Sequence, residues 1–295
     1  DLLRRDYTMN AIALTIEEIP KVIDPTGGLT DLKNKKLVAV SKENLIDDPL
    51  RLLRGLRFIA EFDLIIQSET EFFIQSYSKL LYNVSKERIQ LEINRIIISE
   101  FAEKAISLIR SFGLLDLWLN HENLYYGYPP EFSGIELLSS EELFDARPLA
   151  RLVNLLSDFG LEELRFSKKN QQKCKLLRKW LQVCNVKGFK KLDENDLLAL
   201  HKDLEEFLPS FIFSLPFKDQ LCWLERWRDH SDPLFHPSNP IDGSTLQDIL
   251  GINPGPVLGK LMNFLSHENA FGRFQNSDEV LQSARTWLKH NQPFL

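Results

Sequence analysis

Residues 47–57 read Asp-Asp-Pro-Leu-Arg-Leu-Leu-Arg-Gly-Leu-Arg, which joins a helix start to a row of charged side chains. Aspartate caps helices well and proline suits the first helical position, so a helix is predicted to begin at Asp48 or Pro49. Asp48 and Arg51 are three residues apart and can point the same way on that helix. The stretch therefore sets a hydrogen-bond acceptor beside a donor. Two more arginines continue the row at the same step, Arg54 and Arg57.

An acceptor beside a donor can imitate the pairing edge of a nucleobase. Cytosine and adenine each place an exocyclic amine next to a bare ring nitrogen, so Asp48 could accept from the amine while Arg51 donates to the nitrogen. Uracil and guanine invert both positions, and polar groups left unpaired carry most discrimination of this kind. The pair is predicted to select C and A over U and G. The alternative is that Asp48 only caps the helix and the arginines are solvated or salt-bridged.

The composition excludes several protein classes. The chain has 295 residues, 43% hydrophobic and 26% charged, with no apolar run long enough for a membrane span and no signal peptide. Its three cysteines form no CxxC pair and its histidines no metal-binding motif, so neither a zinc site nor a disulfide framework is predicted. A reducing cytoplasm is the expected location. Because the first residue is Asp1 rather than methionine, the chain is expected to be a piece of a longer protein.

One basic block stands out against a net charge of −6. Between Arg165 and Lys191 there are ten basic residues and no acidic one. Such a block is a candidate surface for an RNA phosphate backbone, and the alternative is a solvated helix face. The candidate RNA-binding residues are Lys168, Lys169, Lys173, Lys175, Arg178 and Lys179.

The pattern of apolar residues predicts a small strand-containing start followed by a long all-helical remainder. Strands are predicted at residues 11–16 and 36–40, with turn chemistry between them and no strand after Val40. Arg88 is predicted to face Glu92 within a helix capped by Ser85. Linkers are predicted near residues 125–133 and 231–239. The helices are predicted at residues 50–62, 69–81, 86–98, 103–112, 149–156, 170–181, 196–206 and 218–228, with one ending at Gly251 and another starting at Val257 after a Pro-Gly-Pro turn.

Five segments, in order, resemble motifs of class II tRNA nucleotidyltransferases, the family of bacterial CCA-adding enzymes and poly(A) polymerases. Residues 4–13 resemble its RRD-F-T-I-N-A motif, residues 24–32 its flexible glycine segment, residues 47–51 its E-D-x-x-R base-reading motif, residues 85–89 its S-x-E-R-I, and residues 250–259 an L-G-I-x-P-G-P-x-x-G found in some tails. The first acidic position of the base-reading motif is aspartate here rather than glutamate, which keeps the carboxylate.

The resemblance implies a mainly α-helical protein with four parts. Residues 1–43 would be the C-terminal remnant of an α+β nucleotidyltransferase head, residues 44–125 a helical neck with the base-reading motif, residues 126–230 a helical body and residues 231–295 a helical tail. Arg5 and Asp6 would lie against the sugar and phosphates of the incoming nucleotide, and Asp48 and Arg51 would read its base. The remaining pair, Arg54 and Arg57, would hold phosphate or brace the base readers.

The resemblance also implies ATP and CTP as substrates, tRNA as partner and Mg²⁺ as cofactor. Phosphoryl transfer of this kind needs carboxylates that hold metal ions, and the family's G-G-x-V-R-D and D-x-D segments precede its RRD motif. This chain starts at that motif, so its catalytic carboxylates are predicted upstream of Asp1, with no metal ligands in the chain itself. The 295 residues alone are therefore predicted not to catalyse.

The leading hypothesis is a tRNA nucleotidyltransferase that adds C, A or both to tRNA 3′ ends without a nucleic-acid template. Specialists for CC or for A and a poly(A) polymerase are alternatives within the family, since C and A share one donor and acceptor order. A non-catalytic helical RNA-binding module is the alternative from another class. It would bind tRNA through the basic block with a steep salt dependence and without nucleotide selectivity. A structural helical protein with coincidental motifs is the third.

Overall fold

The computed structural model describes residues 1–121, 137–187, 191–212, 215 and 217–291. It is mainly α-helical with a few short strands, as the sequence predicts. The chain folds into two compact units, Asp1–Glu122 with Arg147–Lys175 and Asn123–Ala146 with Leu176–Leu295. The predicted linker at residues 125–133 lies outside the described residues. None of the described helices is both long enough and apolar enough to cross a bilayer.

The strands lie in the first 66 residues and form two small sheets. Strand β1 (Ala13–Leu14) pairs antiparallel with β2 (Val22–Ile23), and β3 (Lys36–Leu37) pairs in parallel with β4 (Ile65–Ile66). Helix α1 (Gly28–Lys33) lies between the two sheets in sequence. The prediction of no strand after Val40 is therefore wrong. A two-residue strand is too short to show an alternating pattern, and β4 forms through its pairing with β3.

The helices of the first unit surround one amphipathic helix. Helix α3 (Leu50–Phe62) and helix α5 (Lys86–Ile98) have the predicted limits. The apolar stripe of α3 is buried against α5 and α6 (Ala102–Ser111). The unit also contains α2 (Lys42–Asp47), α4 (Ser68–Tyr77), a 3₁₀ segment (Ser78–Asn83), α8 (Asp158–Glu163) and parts of α7 (Ser140–Leu155) and α9 (Lys168–Lys187).

The helices differ from the predicted ones in two respects. Helix α7 begins nine residues earlier than predicted and contains Pro148, a residue that is more common at a helix start. Helices α2 and α8, with six residues each, are too short to show a helical period. Serine caps support both: the Ser41 hydroxyl accepts from N–H of Asn44 at 3.2 Å, and that of Ser157 from N–H of Gly160 at 3.0 Å.

A buried arginine ties α6 to the end of α5. Both guanidinium edges of Arg151 are used: Nε and Nη2 each donate to the Glu103 carboxylate at 2.7 Å, and Nη1 donates to the carbonyl oxygens of Ile97 at 2.7 Å and Ser99 at 2.9 Å. The last carbonyl groups of a helix have no partner within the helix. Arg151 therefore supplies donors where α5 ends.

The second unit contains the remaining helices and a separate core at the C-terminal end. Helix α13 is capped at its C-terminus by Gly251, as predicted, and the φ of 65° at Gly251 is the left-handed conformation that favours glycine. Helix α14 begins at Pro256, one residue before the predicted Val257. Six buried residues form the C-terminal core: Leu246, Leu258, Leu261, Leu265, Val280 and Ala284. The helices are α10 (Glu194–Leu204), α11 (Leu208–Ile212), α12 (Phe217–Arg228), α13 (Gly243–Leu250), α14 (Pro256–Ala270) and α15 (Ser277–Asn291).

Candidate nucleotide site

Tyr7 fixes the N-terminal segment onto helix α3. Its side chain is fully buried, its ring meets that of Phe58 edge-on, and its hydroxyl donates to the carbonyl oxygen of Arg51 at 2.8 Å. Burial raises the pKa of Tyr7 far above its usual range, so the hydroxyl remains a donor. The ring lies against Gly55, where an added Cβ would come within 2.1 Å of the hydroxyl oxygen. A glycine at this position of α3 therefore makes room for the segment that carries Arg5 and Asp6.

Asp6 and Arg5, predicted together at the nucleotide, have different surroundings. The Asp6 side chain is only 5% exposed; its Oδ1 accepts from N–H of Tyr7 at 2.9 Å and from Nδ2 of Asn10 at 3.1 Å, and its Oδ2 lies 3.0 Å from Nη2 of Arg54. The Arg5 side chain is 54% exposed and has an ion pair of 3.5 Å with Asp1. Arg5 is therefore open to a ligand, whereas the Asp6 carboxylate is committed to contacts within the protein.

Arg51 reaches back to the N-terminal segment. Its Nη1 donates to the carbonyl oxygens of Arg4 at 3.0 Å and Asn44 at 2.9 Å. The Asn44 amide in turn donates to the carbonyl oxygens of Leu3 and Arg5, both at 2.8 Å. The start of α3 and the segment carrying Arg5 are thus joined by side-chain hydrogen bonds.

Asp48 does not cap helix α3 with its side chain. The residue at the cap is Pro49, and the Asp48 carboxylate instead accepts from Nη2 of Arg88 at 3.1 and 2.9 Å. The predicted contact of Arg88 with Glu92 is wrong, because Glu92 turns toward a buried arginine, Arg57. Asp48 is half-buried and charge-paired one turn before Arg51.

Arg57 lies in the core and not in an open site. Its side chain is 7% exposed, and its Nε lies 3.2 Å from Glu92 and 3.7 Å from Glu61. Burial raises the pKa of Glu92, and the positive charge of Arg57 opposes that shift. A phosphate could not reach this buried guanidinium without rearrangement, and its role as a brace for the base readers stays a prediction. Arg54 is paired with Asp6 and is 35% exposed, so it is less accessible than Arg5 and more accessible than Arg57.

The glycine segment connects helix α1 to the same N-terminal segment. The Asp24 carboxylate accepts from the backbone N–H groups of Leu29 at 2.9 Å and Gly28 at 2.8 Å, which lower the pKa of Asp24. The Thr8 hydroxyl donates to Asp31 at 2.8 Å. An added Cβ at Gly28 would lie 2.0 Å from the carbonyl oxygen of Thr8, so this close approach requires glycine.

The candidate RNA-binding residues all lie on helix α9 but are not equally accessible. Lys168, Lys169 and Lys175 are exposed, and Lys173 is half-buried. The other two residues, Arg178 and Lys179, are less available to RNA than the sequence suggested. Arg178 is only 7% exposed, and Lys179 pairs with Asp203 at 2.8 Å. Because a buried guanidinium cannot meet a phosphate backbone without rearrangement, the exposed set excludes Arg178.

Metal ligands do not come together in the part of the chain that the structure describes. No three Asp, Glu, His or Cys side chains among the described residues form a group that could hold a metal ion. These residues do not fit the Mg²⁺ that the resemblance implies, and no reaction step is assigned to a metal here. The location of the catalytic carboxylates upstream of Asp1 stays a prediction.

Comparison with known families matches two parts of the chain. Residues 1–38 match the family described as the poly A polymerase head domain, and residues 63–121 match the family described as the probable RNA and SrmB-binding site of polymerase A. The CC-adding tRNA nucleotidyltransferase of Synechocystis is 26% identical over 97% of this chain and 74% of its own length. The CCA-adding enzyme of Streptococcus sanguinis is 28% identical over 95% of this chain and 70% of its own length.

Solved structures share the fold. The Thermotoga maritima CCA-adding enzyme in complex with tRNA superposes with a TM-score of 0.73 at 21% identity, covering 98% of this chain and 73% of that one. The Bacillus stearothermophilus CCA-adding enzyme in complex with CTP gives 0.64 at 20% identity, covering 98% and 75%. The motif order, the two family matches in the first 121 residues and the shared fold point to one family. Together they support a class II tRNA nucleotidyltransferase.

Proposed function

We propose that this protein acts in the addition of C and A nucleotides to tRNA 3′ ends, as the names of its relatives suggest, and that Asp48 and Arg51 select the base. The observation that supports this most is the hydrogen bonding of Arg51 to the segment that carries Arg5, one turn from Asp48. Arg51 and the backbone of Arg5 belong to one hydrogen-bonded assembly through Asn44, and Asp48 lies one turn before Arg51. CTP, ATP and tRNA are the proposed ligands.

The selection follows from which atoms of the pair are free. Each carboxylate oxygen of Asp48 has two lone pairs, so one remains for the exocyclic amine of cytosine or adenine while Arg88 stays bound. Arg51 uses Nη1 on backbone carbonyls and keeps Nε and Nη2 for the ring nitrogen. Uracil and guanine would place a carbonyl oxygen against the carboxylate and an N–H against the guanidinium, leaving both unpaired. Arg5 would meet the triphosphate as the exposed cation of the site.

Specificity between C and A needs more than this pair. Both bases offer the same donor and acceptor order, and the relatives include a CC-adding enzyme as well as CCA-adding enzymes. Incorporation of CTP alone, ATP alone or both into tRNA that lacks its 3′ end, by the protein in its longest natural form, distinguishes the CC specialist, the A specialist and the full enzyme. Repeated ATP addition to an unrelated RNA would identify a poly(A) polymerase.

Replacing Asp48 by alanine is expected to relax base choice more than it weakens triphosphate binding. The preference for CTP over UTP should fall by roughly tenfold to a hundredfold, because one mispaired buried polar group costs about 1–3 kcal/mol. Equilibrium titration of CTP and UTP against the protein measures the ratio. Glu69→Ala removes an exposed carboxylate elsewhere in the first unit and is the control. An unchanged ratio in Asp48→Ala would overturn the base-reading role.

The basic face of α9 is the proposed tRNA surface. Changing Lys168, Lys169, Lys173 and Lys175 together to alanine should weaken tRNA binding by roughly tenfold or more and flatten its salt dependence, because fewer counterions are released. Filter binding at several salt concentrations measures both. The control replaces four exposed lysines located elsewhere: Lys79, Lys202, Lys260 and Lys289. An equal loss of tRNA affinity in both variants would show that α9 is not the tRNA-binding surface.

A further inference from the structure

Two side chains clamp the backbone of the N-terminal segment onto the start of α3. Nδ2 of Asn44 donates to the carbonyl oxygens of Leu3 and Arg5, both at 2.8 Å, and Nη1 of Arg51 donates to the carbonyl oxygen of Arg4 between them at 3.0 Å. Arg51 also donates to the backbone carbonyl of Asn44 at 2.9 Å. One amide and one guanidinium therefore bind three consecutive carbonyl groups, and the guanidinium also binds the main-chain carbonyl of Asn44.

These contacts determine which edge of Arg51 is free. Nη1 carries two N–H groups, and both have a carbonyl partner. The guanidinium is planar and rigid, so fixing Nη1 at two points also fixes the plane and direction of Nε and Nη2. Arg51 can then meet a base only along that remaining edge. Positioning of this kind keeps a binding group in its productive geometry before the ligand arrives.

In the clamp, the Asn44 amide acts through its NH₂ group, and a side chain without a donor could not replace it. A side-chain oxygen facing the carbonyls of Leu3 and Arg5 would leave three acceptors together, so the NH₂ group must face them. Asn44 is half-buried and lies in α2, just before the base-reading motif but outside its pattern. Aspartate at this position would keep the shape and lose both donors.

We propose that Asn44 is a positioning residue for base selection. By holding the N-terminal segment and the start of α3 in one register, it fixes the direction from which Arg51 meets the base. Loss of the amide frees the Leu3–Arg5 backbone, which removes one of the two anchors of Nη1 and lets the guanidinium turn away from an N–H of uracil. The inference rests on the proposed function, since it assigns to Asn44 a part in the same discrimination.

The test compares CTP and UTP binding by equilibrium titration in Asn44→Asp and Asn44→Ala. Each change should reduce the CTP preference by roughly tenfold, which corresponds to about 1.4 kcal/mol. Asn44→Ala introduces no repulsive charge, so it reports on the lost donor even where the aspartate variant is poorly folded. The melting temperature, recorded alongside, should change little for Asn44→Ala. Asn83→Asp makes the same charge change at an exposed asparagine of the first unit and should leave the ratio unchanged.

A double-mutant cycle with Arg51→Ala distinguishes positioning from a merely structural role. Because Asn44 is proposed to act through Arg51, Asn44→Ala should have no further effect on the ratio once Arg51 is alanine. If wild-type protein shows no CTP preference, the proposed function fails and the inference with it. If wild type prefers CTP and Arg51→Ala loses that preference, but Asn44→Ala keeps it, then only the inference about Asn44 is overturned.

Discussion

Gly55→Ala is expected to lower the free energy of unfolding by roughly 2–4 kcal/mol, although alanine is the better helix former. The new Cβ would lie 2.1 Å from the hydroxyl oxygen of Tyr7 and 2.6 Å from Cζ of its ring. The ring cannot move aside freely because it is fully buried and packs against Phe58, and its hydroxyl is bound to Arg51. The clash should outweigh the helix-propensity gain of about 1 kcal/mol. Urea unfolding followed by circular dichroism measures the difference.

The matched control is Gly259→Ala in helix α14. A Cβ at Gly259 meets no atom within 4 Å, so alanine there should be neutral or stabilising by up to about 1 kcal/mol. Because the clash at Gly55 separates the N-terminal segment from α3, Gly55→Ala should also weaken CTP binding. Equal stability of the two variants would show that Tyr7 can repack, and the docking described for the N-terminal segment would not depend on glycine.

Arg151→Met should cost at least about 2 kcal/mol of unfolding free energy, because two carbonyl oxygens would each lose a donor at a cost of about 1–3 kcal/mol. The Glu103 carboxylate is 42% exposed, so water can partly replace its counterion. Methionine keeps much of the volume but cannot donate to Glu103, Ile97 or Ser99 as Arg151 does. The carbonyl oxygens of Ile97 and Ser99 would lose their donor beside a carboxylate, Glu103, that has lost its counterion. Chemical unfolding of the purified protein gives the value.

An exposed ion pair in the same unit provides the comparison for Arg151. Lys104 and Asp63 are 2.7 Å apart near the surface, and pairs of this kind contribute at most about 1 kcal/mol. Lys104→Met should therefore destabilise far less than Arg151→Met. A loss of similar size in both variants would mean that the burial of Arg151 adds nothing to stability, and that the end of α5 does not depend on its donors.

The parts of the structure that local sequence determines were predictable. Helices α3 and α5 have the predicted limits because their apolar period is visible within a few positions, although neither the Asp48 nor the predicted Ser85 side chain makes a capping hydrogen bond. The contact of Arg51 with the segment carrying Arg5 agrees with the site that the motifs predict. Short helices such as α2 were not predicted because six residues are too few to show a helical period.

The partners of the site residues were not predictable in the same way. Arg88 is 40 positions from Asp48, and its contact depends on how α5 docks against the start of α3. Local spacing favoured a contact of Arg88 with Glu92, but a buried cation, Arg57, competes for that carboxylate and takes it. Asn44 gave no signal, since its role comes from backbone carbonyls that any residue would present. The limits of head, neck, body and tail stay predictions.

The row of arginines at residues 51, 54 and 57 has an evolutionary consequence. The three share one spacing but meet different partners: backbone carbonyls, Asp6, and a carboxylate in the interior, Glu92. Lysine can substitute for a guanidinium where one nitrogen suffices near solvent, as at Arg54, but cannot replace a flat group stacked over Phe58 at 4.5 Å, as at Arg57. In descendant sequences we therefore expect Arg54 to be replaced first. Arg57 should be retained because of its packing in the core, independently of any ligand.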